Sequence, residues 1–362
     1  MNRILYIDLL KCLAIFLVVL GHAIGNISWN SELSNAVSWY FICPLVMPLF
    51  SILSGLFFKA ENGWRTFLWH KTRQLVMPIL TLSFLQFVVL GIVQGILNGD
   101  NIHYIAIARN YYMAIIDWNF WFLRALFFCY VFSYVAVRLT QGRLALAGIL
   151  SVLLLYSLSM GGIIPNKSPI LTGFIFLYPF FWTGILLRRV FTVINNTKLQ
   201  IRALIASLGI YILLLFGWRG YEDSFYSMNT SILEIEGYNG IHGIDVVWRT
   251  VYRLLIGIAE SLAFIFAFRI MERRGYLSCR AVEHCAAVGR ETLGIYILQS
   301  FVFNYSLWTM RSNSEARRVI VVVVLSLVIV VGAYIIVRIT SQNRYLAFLL
   351  WGRSLSQHIY HK

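Results

Sequence analysis

Apolar runs separated by short polar segments recur from one end of the chain to the other, near 4–25, 36–58, 74–98, 120–138, 143–162, 168–187, 201–218, 250–270, 291–310 and 319–340. Each is long enough to cross a bilayer's hydrocarbon as a helix. The pattern therefore predicts an all-α polytopic membrane protein of about ten transmembrane helices. Only GGIIPNKS separates the fifth and sixth runs. The first run looks like a secretion signal in length, but it holds Asp8, Lys11 and His22 and has no small-residue cleavage site, so it is expected to be retained as a span. Residues 1–345 then form one transmembrane domain, and 346–362 a short basic C-terminal tail.

Composition agrees with this pattern: 59% of the 362 residues are hydrophobic and 12% charged, whereas ordinary soluble domains carry roughly 25% charged residues. The net charge of +15 would suit a nucleic-acid partner in a soluble protein. In a polytopic chain the positive-inside rule explains it better. With the N-terminus in the cytoplasm, 20 of the 30 Lys and Arg residues fall on inner segments or inner span ends and eight on outer ones. Both termini are then cytoplasmic, and no nucleic-acid partner is expected. The five cysteines, Cys12, Cys43, Cys129, Cys279 and Cys285, form no CxxC pair, so neither a disulfide framework nor a zinc site is indicated. GxSxG, Walker A and GxGxxG patterns are absent.

The candidate chemistry lies in the charges that the spans retain. Ionisable groups are costly in hydrocarbon and mark substrate paths, proton relays or catalytic centres. Lys11 and His22 are eleven residues apart, which returns them to within roughly 20° of one helix face, separated by about 16 Å along the axis. Asp8 stands one turn before Lys11 on that face. A neutral imidazole can take a proton from a hydroxyl and return it to a leaving group. Gly21 and Ala23 flank His22 with small side chains that leave room beside the ring. Asp8 and Lys11 could instead simply pair at i, i+3.

Three further clusters stand out. His70, Lys71 and Arg73 precede the third run, where cations at a helix start oppose its dipole and favour a bound anion, with topology signalling as the simpler explanation. Arg124 lies one turn past Trp121 inside the fourth run and needs an acceptor, Glu260 or the nearer Asp117. The outer segment 219–249 interleaves Tyr221, Phe225, Tyr226, Tyr238 and Trp248 with Glu222, Asp223, Glu234, Glu236, His242 and Asp245, a mixture suited to sugars and equally to a membrane interface.

The opening RILYIDLLKCLAIFLVVLGH resembles the first helix of the acyltransferase family 3 membrane proteins, with a basic residue, ten residues and a histidine, here Lys11 and His22. MPLFSILSGLFFK at 47–59, KTRQLVMP at 71–78, WFLRALF at 121–127, YPFFWTGILLRR at 178–189 and TLGIYILQSFV at 292–302 follow in the family's order. Two positions depart from it: the basic motif reads Lys71-x-Arg73-Gln74 rather than Arg-x-x-Arg, and Gln299 stands where many members carry histidine.

The resemblance implies a stand-alone O-acyltransferase of a bacterial inner (plasma) membrane. It would move an acyl group, most often acetyl from acetyl-CoA, to a hydroxyl of a cell-envelope polysaccharide or lipid-linked sugar. The expected catalytic set is His22, Asp8 and Lys11, with His22 as general base or transient acyl carrier. Lys71 and Arg73, with Lys11, are expected on the donor phosphates, and Arg124, Trp121, Tyr296 and Gln299 on substrate. No metal is expected; membrane lipids are partners, and a homodimer is left open. The competing reading is a transporter or flippase of lipid-linked sugars or acyl groups, whose intramembrane charges would line a path.

Overall fold

The computed structural model describes residues 4–26, 32–60, 63–98, 103–116, 120–160, 169–194, 196–218, 241–305 and 314–355. The described residues form helices and no strand, as an all-α polytopic membrane protein requires. Eight helices among them are long and apolar enough to cross a membrane, and two shorter apolar helices occupy the fifth and ninth expected positions.

In chain order the helices are α1 (Leu5–Asn26), α2 (Ala36–Leu56), α3 (Trp64–Asn98), α4 (Tyr104–Ile116), α5 (Trp121–Leu139), α6 (Leu144–Met160), α7 (Pro169–Val193), α8 (Thr197–Leu215), α9 (Ile241–Arg273), α10 (Arg280–Arg290), α11 (Thr292–Tyr305), α12 (Glu315–Thr340) and α13 (Arg344–Trp351). Four depart from the hydropathy pattern. α3 starts ten residues before the expected 74, because Trp64–Lys71 is a helical turn pair too basic to score as apolar. α4 and α10 are short helices inside segments read as connections. α13 occupies the start of the expected tail.

α7 is the centre of the bundle. Phe174, Phe176, Tyr178, Phe180 and Phe181 are fully buried on it, so the helix is apolar all round. It meets α2 through a reciprocal glycine contact: a Cβ on Gly55 would come within 2.0 Å of the Phe181 carbonyl oxygen, and one on Gly184 within 2.0 Å of the Ile52 oxygen. Small residues let two helix backbones approach this closely, which replaces the hydrophobic drive that is missing between helices in lipid. α8 and α12 lie at the other extreme. Ile205, Leu208 and Leu213 of α8, and Ile320, Val324 and Val328 of α12, are exposed, as side chains facing lipid tails would be.

α1 packs against α2, α9, α10, α11 and α12 and is held at the centre of the second half of the chain. Gly289 of α10 makes the tightest of these approaches, since a Cβ there would stand 1.7 Å from the Asp8 carbonyl oxygen. The start of α1, the ends of α2, α7 and α9, the first turns of α3 and α11, and α13 all contribute to two cavities, of which Phe57 is a shared wall. This is the basic face of the molecule.

Candidate active site

The larger cavity encloses about 520 Å³ and is lined by five cations, Lys11, Lys71, Arg73, Arg290 and Arg353, with one carboxylate, Glu291. Its walls are Phe50, Phe57, Phe122, Tyr130, Tyr296 and Trp351. Three helices, the junction between α10 and α11, and a tail segment deliver the charges. α1 brings Lys11, whose Nζ lies 5.6 Å from the Phe57 ring centroid. α3 brings Lys71 and Arg73 where the helix widens into a π-helical stretch over Thr72–Val76, a distortion that recurs at functional sites.

Each cation is positioned by a neighbour that leaves charge to spare. Lys71 Nζ stands 3.7 Å over the Tyr130 ring and donates to Gln74 Oε1 at 3.2 Å. Tyr130 is fixed in turn by donating its hydroxyl proton to the Ser54 carbonyl at 3.2 Å. Arg73 reaches His70 Nδ1 at 3.5 Å, while its buried Nε has no hydrogen-bond partner among the described residues. Arg290 pairs with Asp8 at 3.7 Å. Arg353 pairs with Glu291, which is buried at the start of α11. Five positive charges against one lining carboxylate leave an anion site, and Thr292–Gly294, the N-terminal turn of α11, adds amide dipoles of the same sign.

Two glycines close this end. Gly352 caps α13 with φ +62°, a conformation that glycine adopts without strain, and a Cβ there would come 2.2 Å from the Arg73 carbonyl oxygen. It thereby sets Arg353 beside Arg73. Gly294 lets Val337 and Trp351 approach α11, with a Cβ clash at 2.5 Å from Val337 Cγ2.

From this cavity one continuous face leads along α11. Tyr296, Gln299 and Phe303 are spaced i, i+3, i+7, within about 60° of one another around the helix. Tyr296 lines the cavity against Phe122, with ring centroids 5.7 Å apart. Gln299 is 3% exposed, and its Oε1 has no hydrogen-bond partner among the described residues. Phe303 meets the His22 ring at 5.7 Å. α1 and α11 therefore run side by side, with Lys11 beside the cavity and His22 at the far end. The His22 side chain is exposed, while Ala23 is fully buried and a Cβ on Gly21 would stand 3.4 Å from Ile42 Cγ2. The room expected beside His22 thus lies on its open side and not over its neighbours.

Of the residues singled out from the sequence, the cavity joins Lys11, Lys71, Arg73 and Tyr296 directly, and Asp8 through Arg290. His22, Gln299, Arg124 and Trp121 lie outside its lining. Asp8 makes its ion pair with Arg290 of α10, a partner 282 positions away in sequence. Arg124 donates to the carbonyl oxygens of Ala114 and Ile115, at 3.1 and 2.5 Å, and so caps the C-terminal end of α4. The expected pairing with Glu260 is not formed; that carboxyl is buried on α9 beside Tyr211. Trp121 packs on Gly173 of α7, where a Cβ would come 2.7 Å from its ring. Both residues serve helix packing in this geometry. Asp117 and the segment 219–240 lie outside the described residues, as do the side chains of His242 and Asp245.

The dipole argument for Lys71 and Arg73 also changes. α3 begins at Trp64, so the two cations stand two turns inside the helix, beyond the reach of its terminal dipole. The cavity gathers them instead. Sequence reasoning missed Arg290 and Arg353, which were counted as topology signals, and Ser54, Tyr130 and Thr292. The glycines at 289 and 294 on either side of Arg290–Thr292 are the one local signal that could have marked a close-packed helix junction there.

A polytopic α-helical membrane protein with a cationic cavity at its basic face, connected along one helix face to an exposed imidazole, is the class that fold and site define. A family model for the acyltransferase domain matches residues 4–338, and the chain belongs to acyltransferase family 3. No curated protein and no solved structure matches it. The matched region contains Asp8, Lys11, His22, Lys71, Arg73 and Tyr296 and stops before α13.

Proposed function

We propose that this membrane acyltransferase takes an acyl group, acetyl in the first instance, from a CoA thioester bound in the basic cavity and transfers it to a hydroxyl of a cell-envelope glycan at His22. The observation that carries this reading is the convergence of Lys11, Lys71, Arg73, Arg290 and Arg353 on one aromatic-walled cavity. A phosphorylated nucleotide carries several negative charges, a ring system that stacks on Tyr, Phe or Trp, and a long neutral arm. The cations suit its phosphates, the aromatic walls suit its base, and the Tyr296–Gln299–Phe303 face offers the arm a way toward His22.

The chemistry requires one base. His22 accepts the proton of the acceptor hydroxyl as its oxygen attacks the thioester carbonyl carbon. The C–S bond breaks as the tetrahedral intermediate collapses. The sulfur leaves as thiolate and takes the proton, so that the products are an ester and free CoA. Lys11 and Arg73 hold phosphate in this scheme, and Asp8 positions Arg290 on the same side. The exposure of His22 on the face opposite the cations lets an acceptor approach without crossing the donor site. With the basic face in the cytoplasm, the acceptor comes from the envelope side of an inner membrane.

Acyl transfer from acetyl-CoA labelled in the acetyl carbonyl, measured on glycans of membranes holding the wild-type chain or His22→Ala at matched expression, tests this reading. Label that requires the wild-type chain and disappears with His22→Ala supports it. Equal label with both proteins refutes the role of His22, and no label with either refutes acetyl-CoA as donor.

A further inference from the structure

A second cavity of about 400 Å³ lies on the same basic face, across Phe57 from the first. Phe57 is the one residue that lines both. The second cavity is built where α2, α7 and α9 end beside the start of α1, and it gathers Lys59, Arg188, Arg269 and Arg273 around Glu272. Glu272 is already engaged, since its Oε1 accepts from the Tyr6 backbone N–H at 3.2 Å at the opening of α1.

Arg269 is half-buried. It stands 3.9 Å over the Phe191 ring and donates through Nη2 to the Phe191 carbonyl at 3.4 Å. Its Nη1 is buried and has no hydrogen-bond partner among the described residues. Arg188 is exposed and donates to the Phe58 carbonyl at 3.4 Å. The carbonyl contacts close helix ends, but they use only part of two planar guanidinium forks, each with five donors. What remains is a donor set for a tetrahedral oxyanion.

Charge alone would fit any phosphate. The apolar wall narrows the choice, because Ile4, Leu56 and Phe57 lie beside the cations, and Ile4 and Phe57 are exposed. Such a wall offers nothing to a fully hydrophilic anion, and it suits a ligand whose phosphate is joined to hydrocarbon. Basic pockets between membrane helices on the cytoplasmic side collect lipid headgroups in this way.

We propose that this second cavity is a binding site for the phosphate of an anionic phospholipid of the cytoplasmic leaflet, with Arg269 and Arg188 as its principal ligands. A soluble organic phosphate presents the same headgroup chemistry without the acyl chains, and the test separates the two sources.

The full-length protein in a zwitterionic detergent is titrated with phosphatidylglycerol, with phosphatidylcholine, or with adenosine 3′,5′-bisphosphate. Bound ligand is counted by native mass spectrometry, and melting temperature is followed in parallel. The site predicts saturable binding of one phosphatidylglycerol with a rise in melting temperature. In Arg188→Gln/Arg269→Gln the affinity should fall about thirtyfold, the product of two lost surface charges. Arg269→Lys with Arg188 intact should keep most of the binding, which separates loss of the site from loss of the fold. Lys71→Gln/Arg73→Gln, in the neighbouring cavity, should leave lipid binding unchanged. Equal binding of phosphatidylglycerol and phosphatidylcholine, or undiminished binding to Arg188→Gln/Arg269→Gln, would overturn the proposal. Saturation of Arg269 and Arg188 by the bisphosphate in preference to the lipid would overturn the lipid as its source.

Discussion

The two ends of the α1–α11 face are built in opposite ways. At the basic end five cations are held in place by two rings, an amide, an imidazole and two carboxylates, and glycines at 289, 294 and 352 draw α10, α11 and α13 in to close the wall. At the other end His22 is exposed and, among the described residues, has one ring contact, Phe303. A ligand of fixed structure can be met by a prebuilt cavity, because preorganisation lowers the cost of ordering side chains on binding. An acceptor that is one unit of a large glycan cannot be enclosed, so the group that acts on it must be accessible. Under the proposed function, the difference between the ends suits donor recognition at one and chemistry at the other.

The largest expected effect comes from the open end. His22→Ala should lower the turnover number about 10²- to 10⁴-fold, the usual contribution of a positioned base, and leave donor affinity as it was. Turnover and equilibrium donor binding on the same purified protein measure both. Lys71→Gln/Arg73→Gln should show the reverse split, with donor KM raised roughly a hundredfold and turnover nearly intact, since charge-assisted hydrogen bonds are worth about 1.5–3 kcal/mol each. The wild-type donor KM should also rise with salt, because partly exposed cations are screened. A salt-independent KM would count against ionic recognition.

Gly352→Ala should act at the basic end without touching a charge. The added methyl meets the Arg73 carbonyl oxygen in a left-handed conformation, and relief by moving α13 withdraws Arg353 from the cavity. Overpacking of this kind costs about 1–3 kcal/mol, so donor KM should rise roughly tenfold while His22 chemistry is untouched. Gln299→Leu is the mildest test, in the middle of the face. Its Oε1 has no partner among the described residues, so stability should be kept or slightly improved. If the acyl-bearing arm passes here, turnover should fall about fivefold through one lost hydrogen bond. A twofold or smaller change would route the arm elsewhere.

Much of the frame was legible in the chain because hydropathy and span length are one-dimensional. Among the described residues, the apolar runs hold eight long helices and two shorter ones. The alignment of Lys11 with His22 was legible for the same reason, since helix periodicity converts spacing into direction. The cavity was only half legible. Arg353 joins Arg73 through a turn at Gly352, nearly 280 residues away, and nothing local to either residue announces the other. The two carbonyl acceptors of Arg124 at the end of α4 were not legible, because a sequence displays carboxylates but hides carbonyls. The early start of α3 escaped because a basic amphipathic turn lowers the hydropathy on which the boundary was placed.

The division of labour along α1 and α11 is tested most directly by measuring acetyl-CoA binding and single-turnover acyl transfer side by side in the wild-type protein, His22→Ala and Lys71→Gln/Arg73→Gln. The account predicts that His22→Ala binds the donor as the wild type does and forms no product. It also predicts that Lys71→Gln/Arg73→Gln binds the donor weakly yet turns it over once the donor is saturating. Donor binding lost in His22→Ala and kept in Lys71→Gln/Arg73→Gln, or product formed at the wild-type rate without the imidazole, would contradict it.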